Sequence, residues 1–252
     1  MTGHKDKVAI VTGSTRGIGF AIAQRLGVEG ASVVVSSRKE SAVNEAVARL
    51  SRQHIAVAGV PCHVGNAHDR KKLVDFTTER FGRVDYLINN AGINPFMGHL
   101  LDVTEKMWDK LFEINVKAAF EMSKLVVPHM QKVGGGSIIF VSSTAGYNLP
   151  PAISAYGVTK TALIGLNKAL ALNLAADKIR VNCIAPGLIE TDFSKPLLQS
   201  DSGAKEVSHI PIGRVGTAEE CAGAVSFLCS EAAASYITGE TICINGGTPS
   251  RL

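Results

Sequence analysis

The chain of 252 residues is short of several things. Aromatic side chains make up 6% of it, with one Trp, and charged side chains make up 19%. No apolar run approaches the roughly 20 residues of a membrane-spanning helix, so no membrane span is expected. The opening MTGHKDK is polar and leads directly into a strand-like run, so no secretory signal is expected either. Its five cysteines, Cys62, Cys183, Cys221, Cys229 and Cys243, are odd in number, far apart and without metal-ligand spacing. That argues against a disulfide framework and a metal site, and for small buried thiols in a reducing compartment. His4, His54, His68, His99, His129 and His209 show no ligand spacing and read as surface or structural residues. The formal charge is +4, but the 26 Lys and Arg are scattered among 22 acids with no basic run longer than three. Nucleic acid is therefore not an expected partner. With no internal repeat, low-complexity linker or shift in composition, residues 1–252 read as one domain.

What the chain does have is 46% apolar residues and 25 glycines, arranged as alternating strand-length and helix-period segments. The spacing predicts strands at 7–12, 32–37, 55–60, 84–89, 137–142, 179–184 and 241–246. Helices are expected near 17–29, 40–53, 67–81, 104–132, 155–176 and 217–230. Such alternation implies βαβ crossovers, hence an α/β, doubly wound, Rossmann-type fold with a seven-stranded parallel sheet. Most strands are apolar on both parities, as a sheet covered on both faces requires. The long irregular segment 186–214 reads as a flexible substrate loop over the site, about 188–213.

Between the first strand and the first helix stands VTGSTRGIG, with Gly13, Gly17 and Gly19 separated by Ser14, Thr15, Arg16 and Ile18. Glycines there let the backbone turn tightly and let a pyrophosphate reach the N-terminus of a helix. In SAYGVTK, Tyr156 and Lys160 are four residues apart and share a helix face. A nearby cation favours a phenolate, so Lys160 is expected to bring the phenol down from its ordinary value near 10 toward neutrality. Tyr156 would then exchange a proton with a carbonyl or alcohol oxygen, which the Ser143 hydroxyl, just past strand five, would hold.

These segments resemble the short-chain dehydrogenase/reductase family. Thr12-Gly13-x-x-x-Gly17-Ile18-Gly19 is similar to its glycine motif, and NNAG at Asn89–Gly92 to its strand-four motif. Ser143, Tyr156 and Lys160 match its catalytic serine and Tyr-x-x-x-Lys. Asn115 matches its helix-four asparagine, which by resemblance steadies a water linking Lys160 to solvent protons. The resemblance also implies cofactor contacts at Asn90, Ala91 and Gly92, and beside the nicotinamide at Pro186, Gly187, Ile189 and Thr191. After strand three, His63 stands where the family commonly has an aspartate meeting the adenine amino group, with the Val64 backbone beside it.

The end of strand two decides which nicotinamide cofactor is expected. VVVSSRKE places Ser37, Arg38 and Lys39 where an NAD-preferring site usually has a carboxylate for the ribose 2′-OH. A guanidinium offers a bidentate fork to phosphate, and in NADP-preferring members of the family basic residues stand at the Arg16 and Arg38 positions. The expected cofactor is NADP(H).

The segments CHVGNAHDR, AGINPF and SYITGETICINGGTPSRL further resemble a subgroup of peroxisomal, NADPH-dependent retinol dehydrogenases/reductases. It implies reduction of retinal, aromatic ketones and α-dicarbonyls, a homotetramer, and a substrate site bordered by Phe96, Tyr147 and Leu149. The terminal Ser250-Arg251-Leu252 keeps the small–basic–Leu pattern that a peroxisomal import receptor reads. Peroxisomal localisation is thus expected, with a cytoplasmic enzyme as the alternative. Two other functions share the motifs: an NADPH-dependent β-ketoacyl thioester reductase and a non-catalytic NADP-binding scaffold.

Overall fold

A computed structural model of the chain describes residues 3–198 and 207–249. The C-terminal tripeptide and residues 199–206 of the expected substrate loop lie outside the described residues. Seven apolar runs become strands: β1 (Val8–Thr12), β2 (Ser32–Ser37), β3 (Val57–Pro61), β4 (Tyr86–Asn89), β5 (Gly136–Val141), β6 (Ile179–Pro186) and β7 (Thr241–Ile244). All pair in parallel in the order β3-β2-β1-β4-β5-β6-β7. The order reverses between β1 and β4, and at such a switch point an open α/β sheet forms its ligand crevice, outside the carboxyl ends of the strands.

The connecting helices are α1 (Gly17–Val28), α2 (Glu40–Ser51), α3 (Ala67–Phe81), α4 (Glu105–Phe112), α5 (Ala118–Lys132), α6 (Ala145–Asn148), α7 (Ser154–Leu174), α8 (Lys195–Leu198) and α9 (Ala218–Cys229). Alternate strand residues point to opposite faces, so the sheet carries two cores. On one face Ala9, Val11, Val33, Val35 and Ile139 pack with Phe20, Ile22 and Leu26 of α1 and Val225 and Leu228 of α9. On the other, Ile10, Val34, Leu87, Ile138 and Phe140 pack with Leu73 of α3, Met122 and Val126 of α5, and Leu163 of α7. Each fully buried side chain of this size contributes about 1.5–3 kcal/mol relative to exposure. The sheet is thereby fixed as a platform, and the loops at its carboxyl edge are free to carry the site.

Three elements depart from the sequence reading. Ile55, expected in the third strand, instead plugs the surface of α1 at Gly27, and β3 begins at Val57. The expected long helix 104–132 is broken by a π turn at Glu113–Lys117. The expected helix 155–176 ends at Leu174 and tightens into a 3₁₀ turn, Ala175–Asp177. Four cysteines are buried, and burial pushes the thiols of Cys62, Cys183, Cys221 and Cys229 up to about 12, far from a reactive thiolate.

His4 is nearly inaccessible, at 1% exposure, beneath the first strand. Its Nδ1 lies 3.2 Å from Tyr86 Oη, and its Nε2 lies 3.1 Å from Ser226 Oγ and 3.3 Å from Glu29 Oε2. Ser226 and Arg25 both donate to the Glu29 carboxylate. Burial lowers the His4 value below 6.5; Glu29 and Ser226 offset this only partly, and the nearby cations Arg25 and Lys7 lower it further. The folded state therefore binds fewer protons than the unfolded chain. This contribution to stability is complete above pH 6.5 and is lost as pH falls toward the lower folded value, by up to about 1.4 kcal/mol per pH unit. Thermal melts between pH 7.5 and 5.5 should fall more steeply for the wild type than for His4→Gln. Equal slopes would show that His4 titrates alike in both states.

Candidate active site

Every strand from β1 to β6 delivers a candidate residue to the carboxyl edge of the sheet. At β1 the chain turns through Gly13 and Gly17, both with positive φ (62° and 56°) that favours glycine. A Cβ at Gly19 would stand 2.6 Å from the Gly13 carbonyl oxygen, so the loop could not close over a larger residue. α1 begins with Arg16 at its N-cap, without a side-chain cap bond and without an acid in the first turn. Its first N–H groups are left for an anion from outside, and the dipole favours one. The loop therefore fits a pyrophosphate.

Two of the expected cofactor contacts support this loop from behind. Ser14 is fully buried; its Oγ donates to the Val11 carbonyl at 2.6 Å and accepts from Ser36 N–H at 3.0 Å. It staples the loop to β2 and does not turn its hydroxyl to a ligand. Asn90 donates to the Thr12 and Gly13 carbonyls, each at 2.9 Å, tying the end of β4 to the same loop. Thr12 Oγ1 accepts from the N–H groups of Asn90 and Ala91, both at 3.1 Å.

At the end of β2, Ser36 is buried, Ser37 is half-buried, and Arg38 and Lys39 are exposed. No carboxylate stands at Ser37 or Arg38. Arg16 reaches across the cleft to Asp192, Nη1 to Oδ2 3.2 Å, in an ion pair that sequence reading did not foresee. After β3, His63 is exposed, with its N–H held by Asp69 Oδ2 at 2.9 Å and its Nδ1 accepting from Gly65 N–H at 3.1 Å. Only the Nε2 edge of its ring remains for a ligand. The adjacent Val64 is buried, with its carbonyl accepting from Arg70 at 2.6 Å.

Ser143, Tyr156, Lys160 and Asn115 come together beside the β4 and β5 ends. Ser143 sits just past β5, near enough to the Tyr156 phenol to lower its value; its Oγ accepts from Ala145 N–H at 3.1 Å and lies 3.4 Å from the Pro186 carbonyl oxygen. Lys160 Nζ lies 5.4 Å from the Tyr156 ring centroid and donates to the Val141 carbonyl at 2.8 Å. Asn115 in the π turn holds both backbone groups of Ile93, accepting from its N–H at 2.8 Å and donating to its carbonyl at 3.0 Å, and also donates to Thr159. Gly92 sits at their junction: a Cβ there would lie 3.4 Å from Lys160 Nζ and 3.5 Å from Asn115 Oδ1.

The expected effect of Lys160 on the phenol is absent here. Burial raises the Tyr156 value above its ordinary 10, and Ser143 offsets this only partly. Burial also lowers Lys160 to about 8. The lysine stands over the ring face and is bonded to a carbonyl, so its charge is not directed at the phenol oxygen. The phenol stays protonated across the neutral range.

The remaining expected residues differ in how far they are buried. Pro186 ends β6, its carbonyl 3.4 Å from Ser143 Oγ, and Gly187 packs on Asn245, where a Cβ would come within 3.0 Å of the Asn245 Cβ. Ile189 is buried in the core, so its side chain anchors the loop and only its backbone is left for a ligand. Thr191 packs against Gly17 and is half-buried. Phe96 and Tyr147 are half-buried. Leu149 is exposed at positive φ (44°) and leans on Gly157, next to Tyr156. Sequence reading missed Phe193, whose ring lies 5.9 Å from that of Tyr156 at 44°. It sits in an irregular segment whose only signal was its length.

The chain is similar to known proteins over nearly its whole length. A family model described as enoyl-(acyl carrier protein) reductase matches residues 13–249. The human protein named dehydrogenase/reductase SDR family member 4 is 55% identical over 250 residues, covering 98% of this chain and 89% of that one. The protein of the same name from Caenorhabditis elegans is 53% identical over 253 residues, covering 98% and 97%. A solved 7α-hydroxysteroid dehydrogenase in complex with NADH and 7-oxo glycochenodeoxycholic acid superposes with a TM-score of 0.93 at 35% identity, covering 99% of this chain and 96% of that one. A short-chain type dehydrogenase/reductase from Mycobacterium ulcerans gives 0.92 at 32% identity, covering 97% and 90%.

Proposed function

The chain belongs to the short-chain dehydrogenase/reductase family and is an NAD(P)-dependent oxidoreductase; from that premise we propose that it is an NADPH-dependent carbonyl reductase. Its substrates in this reading are retinal, aromatic ketones and α-dicarbonyls. The observation that carries it is the buried Tyr156 phenol beside Ser143 and Lys160, in a chain whose phosphate loop carries Arg16 and whose β2 runs into the exposed Arg38 and Lys39. A nicotinamide cofactor held on the glycine loop would supply hydride chemistry at the carbonyl carbon. Tyr156, kept protonated by burial, gives its proton to the carbonyl oxygen as that oxygen gains the electron pair of the opened π bond. Ser143 holds the same oxygen, and Lys160 with Asn115 returns a proton to Tyr156. Arg16, Ser37, Arg38 and Lys39 would hold the 2′-phosphate, and His63 with Val64 would border the adenine.

Initial rates with NADPH and NADH, each against an aromatic α-diketone, retinal and acetoacetyl-CoA, test this. NADPH with the diketone or retinal should be the best pair. Acetoacetyl-CoA as the best substrate would favour a β-ketoacyl thioester reductase instead, the reading nearest to the description of the matching family model. A chain that binds NADPH and turns over none of the three would be a scaffold.

Self-association is part of the proposal. A surface groove of about 780 Å³ runs across α4, α5 and α7, lined by Trp108, Phe112, Phe120 and Leu166 among Asp109, Glu113 and Lys117. None of Ser143, Tyr156, Lys160 and Asn115 lines it, and its apolar floor with charges of both signs suits a second copy of the same surface about a two-fold axis. We read it as one interface of a homotetramer, which a monomeric mass by light scattering at micromolar concentration would contradict. Peroxisomal import through Ser250-Arg251-Leu252 is likewise proposed; a tagged chain lacking these three residues should stay cytosolic.

A further inference from the structure

The segment Thr191–Phe193 touches the cleft at three places. Thr191 packs on Gly17 of the phosphate loop, where an added Cβ would meet Thr191 Cγ2 at 3.4 Å. Asp192 binds Arg16, and the ring of Phe193 meets that of Tyr156 at a tilt, 5.9 Å between centroids. Ser194 fixes the turn between them, its Oγ accepting from Thr191 N–H at 3.1 Å and donating to the Ile189 carbonyl. Two consecutive residues thus connect a phosphate-loop cation to the catalytic phenol. The Asp192 carboxylate is an anion seated on the guanidinium that the proposed function assigns to the cofactor 2′-phosphate.

Resting on that assignment, we propose that Asp192 is a cofactor-specificity residue. It competes with the 2′-phosphate for Arg16, and its displacement moves Phe193 relative to Tyr156. The physical basis is simple. One guanidinium cannot serve both anions without bringing two negative groups together. The cofactor phosphate must therefore displace Asp192 and then stay beside an unpaired carboxylate. Arg16 and Asp192 are 76% and 64% exposed, so the pair is weak enough to exchange. Because Asp192 and Phe193 are neighbours, the exchange is felt at the catalytic phenol.

The sign of the expected effect sets this role apart from a structural one. Removing the carboxylate in Asp192→Asn should tighten NADP⁺ binding, by about two- to fivefold at low salt, and leave NAD⁺ binding unchanged. The gain should shrink as ionic strength rises. Titration calorimetry with both nucleotides on both chains reads this directly. A wild-type chain that binds NAD⁺ as tightly as NADP⁺ overturns the phosphate reading of Arg16. A wild-type preference for NADP⁺ that Asp192→Asn leaves unchanged or weakens overturns the role of Asp192 alone. For the second half of the proposal, Phe193→Trp in a Trp108→Phe background places one reporter on Tyr156. Its emission should change on adding NADP⁺ but not NAD⁺, and in the further Asp192→Asn variant the change should precede any ligand. Emission insensitive to NADP⁺ would sever the link from Asp192 to Phe193.

Discussion

Tyr156→Phe should reduce turnover by about 10³-fold or more, within the range that a positioned general acid contributes, while changing the affinity for NADP(H) less than about twofold. The variant keeps the ring that packs against Phe193 and Lys160 and removes only the hydroxyl beside Ser143. A loss confined to kcat, with cofactor titrations superimposable on wild type, assigns the proton to Tyr156. Near-full activity would move the acid elsewhere. The direction of reaction adds a second signature. Because burial raises the phenol, reduction needs the form already present at neutral pH, whereas oxidation of an alcohol needs the phenolate. Oxidation should therefore climb with pH well above neutrality, while reduction should stay level until Lys160 begins to lose its charge near 8.

Arg38→Asp should invert the cofactor preference. The substitution removes a charge-assisted contact worth about 1.5–3 kcal/mol and places a carboxylate where the phosphate would sit. NADPH affinity should fall by about 10²-fold or more, while NADH, offered an acceptor for its ribose hydroxyls, should bind as well or better. Arg38 is exposed and lies outside both cores, so the melting temperature should hardly move. Unchanged discrimination would mean that the phosphate, if used at all, is held by Arg16 or Lys39. The two variants act at opposite ends of one cleft, so their effects should be separable in a double variant.

Much of this was legible along the chain because it depends on local pattern. A strand such as VVVSS, covered on both faces, must be apolar at both parities, and its carboxyl end must then expose whatever it carries to the switch point. The glycine loop, NNAG and Tyr-x-x-x-Lys each lie within a few residues of a strand end or within one helical turn. What escaped were relations between distant segments. Arg16 and Asp192 are 176 residues apart, and nothing near either marks the other. The Asp69 grip on His63 looks in sequence like an ordinary first-turn acid of α3. Tyr156 was misjudged for the same reason. Sequence spacing gives its distance from a lysine, but not how dry the pocket is or that Lys160 already has the Val141 carbonyl.

The π turn at Glu113–Lys117 has a bearing on how this chain tolerates change. It fits one residue more into its turn than α geometry would allow, so α4 and α5 are two cylinders clocked differently about a shared axis. α4 buries Leu111 alone, whereas α5 buries Ala118, Ala119, Met122, Ser123, Val126 and Met130. The phase slip falls at Asn115, the residue whose amide grips Ile93 and Thr159. It works as a clutch: the outer half of the helix can drift in sequence and orientation with the surface it serves, while the inner half stays locked to the chemistry.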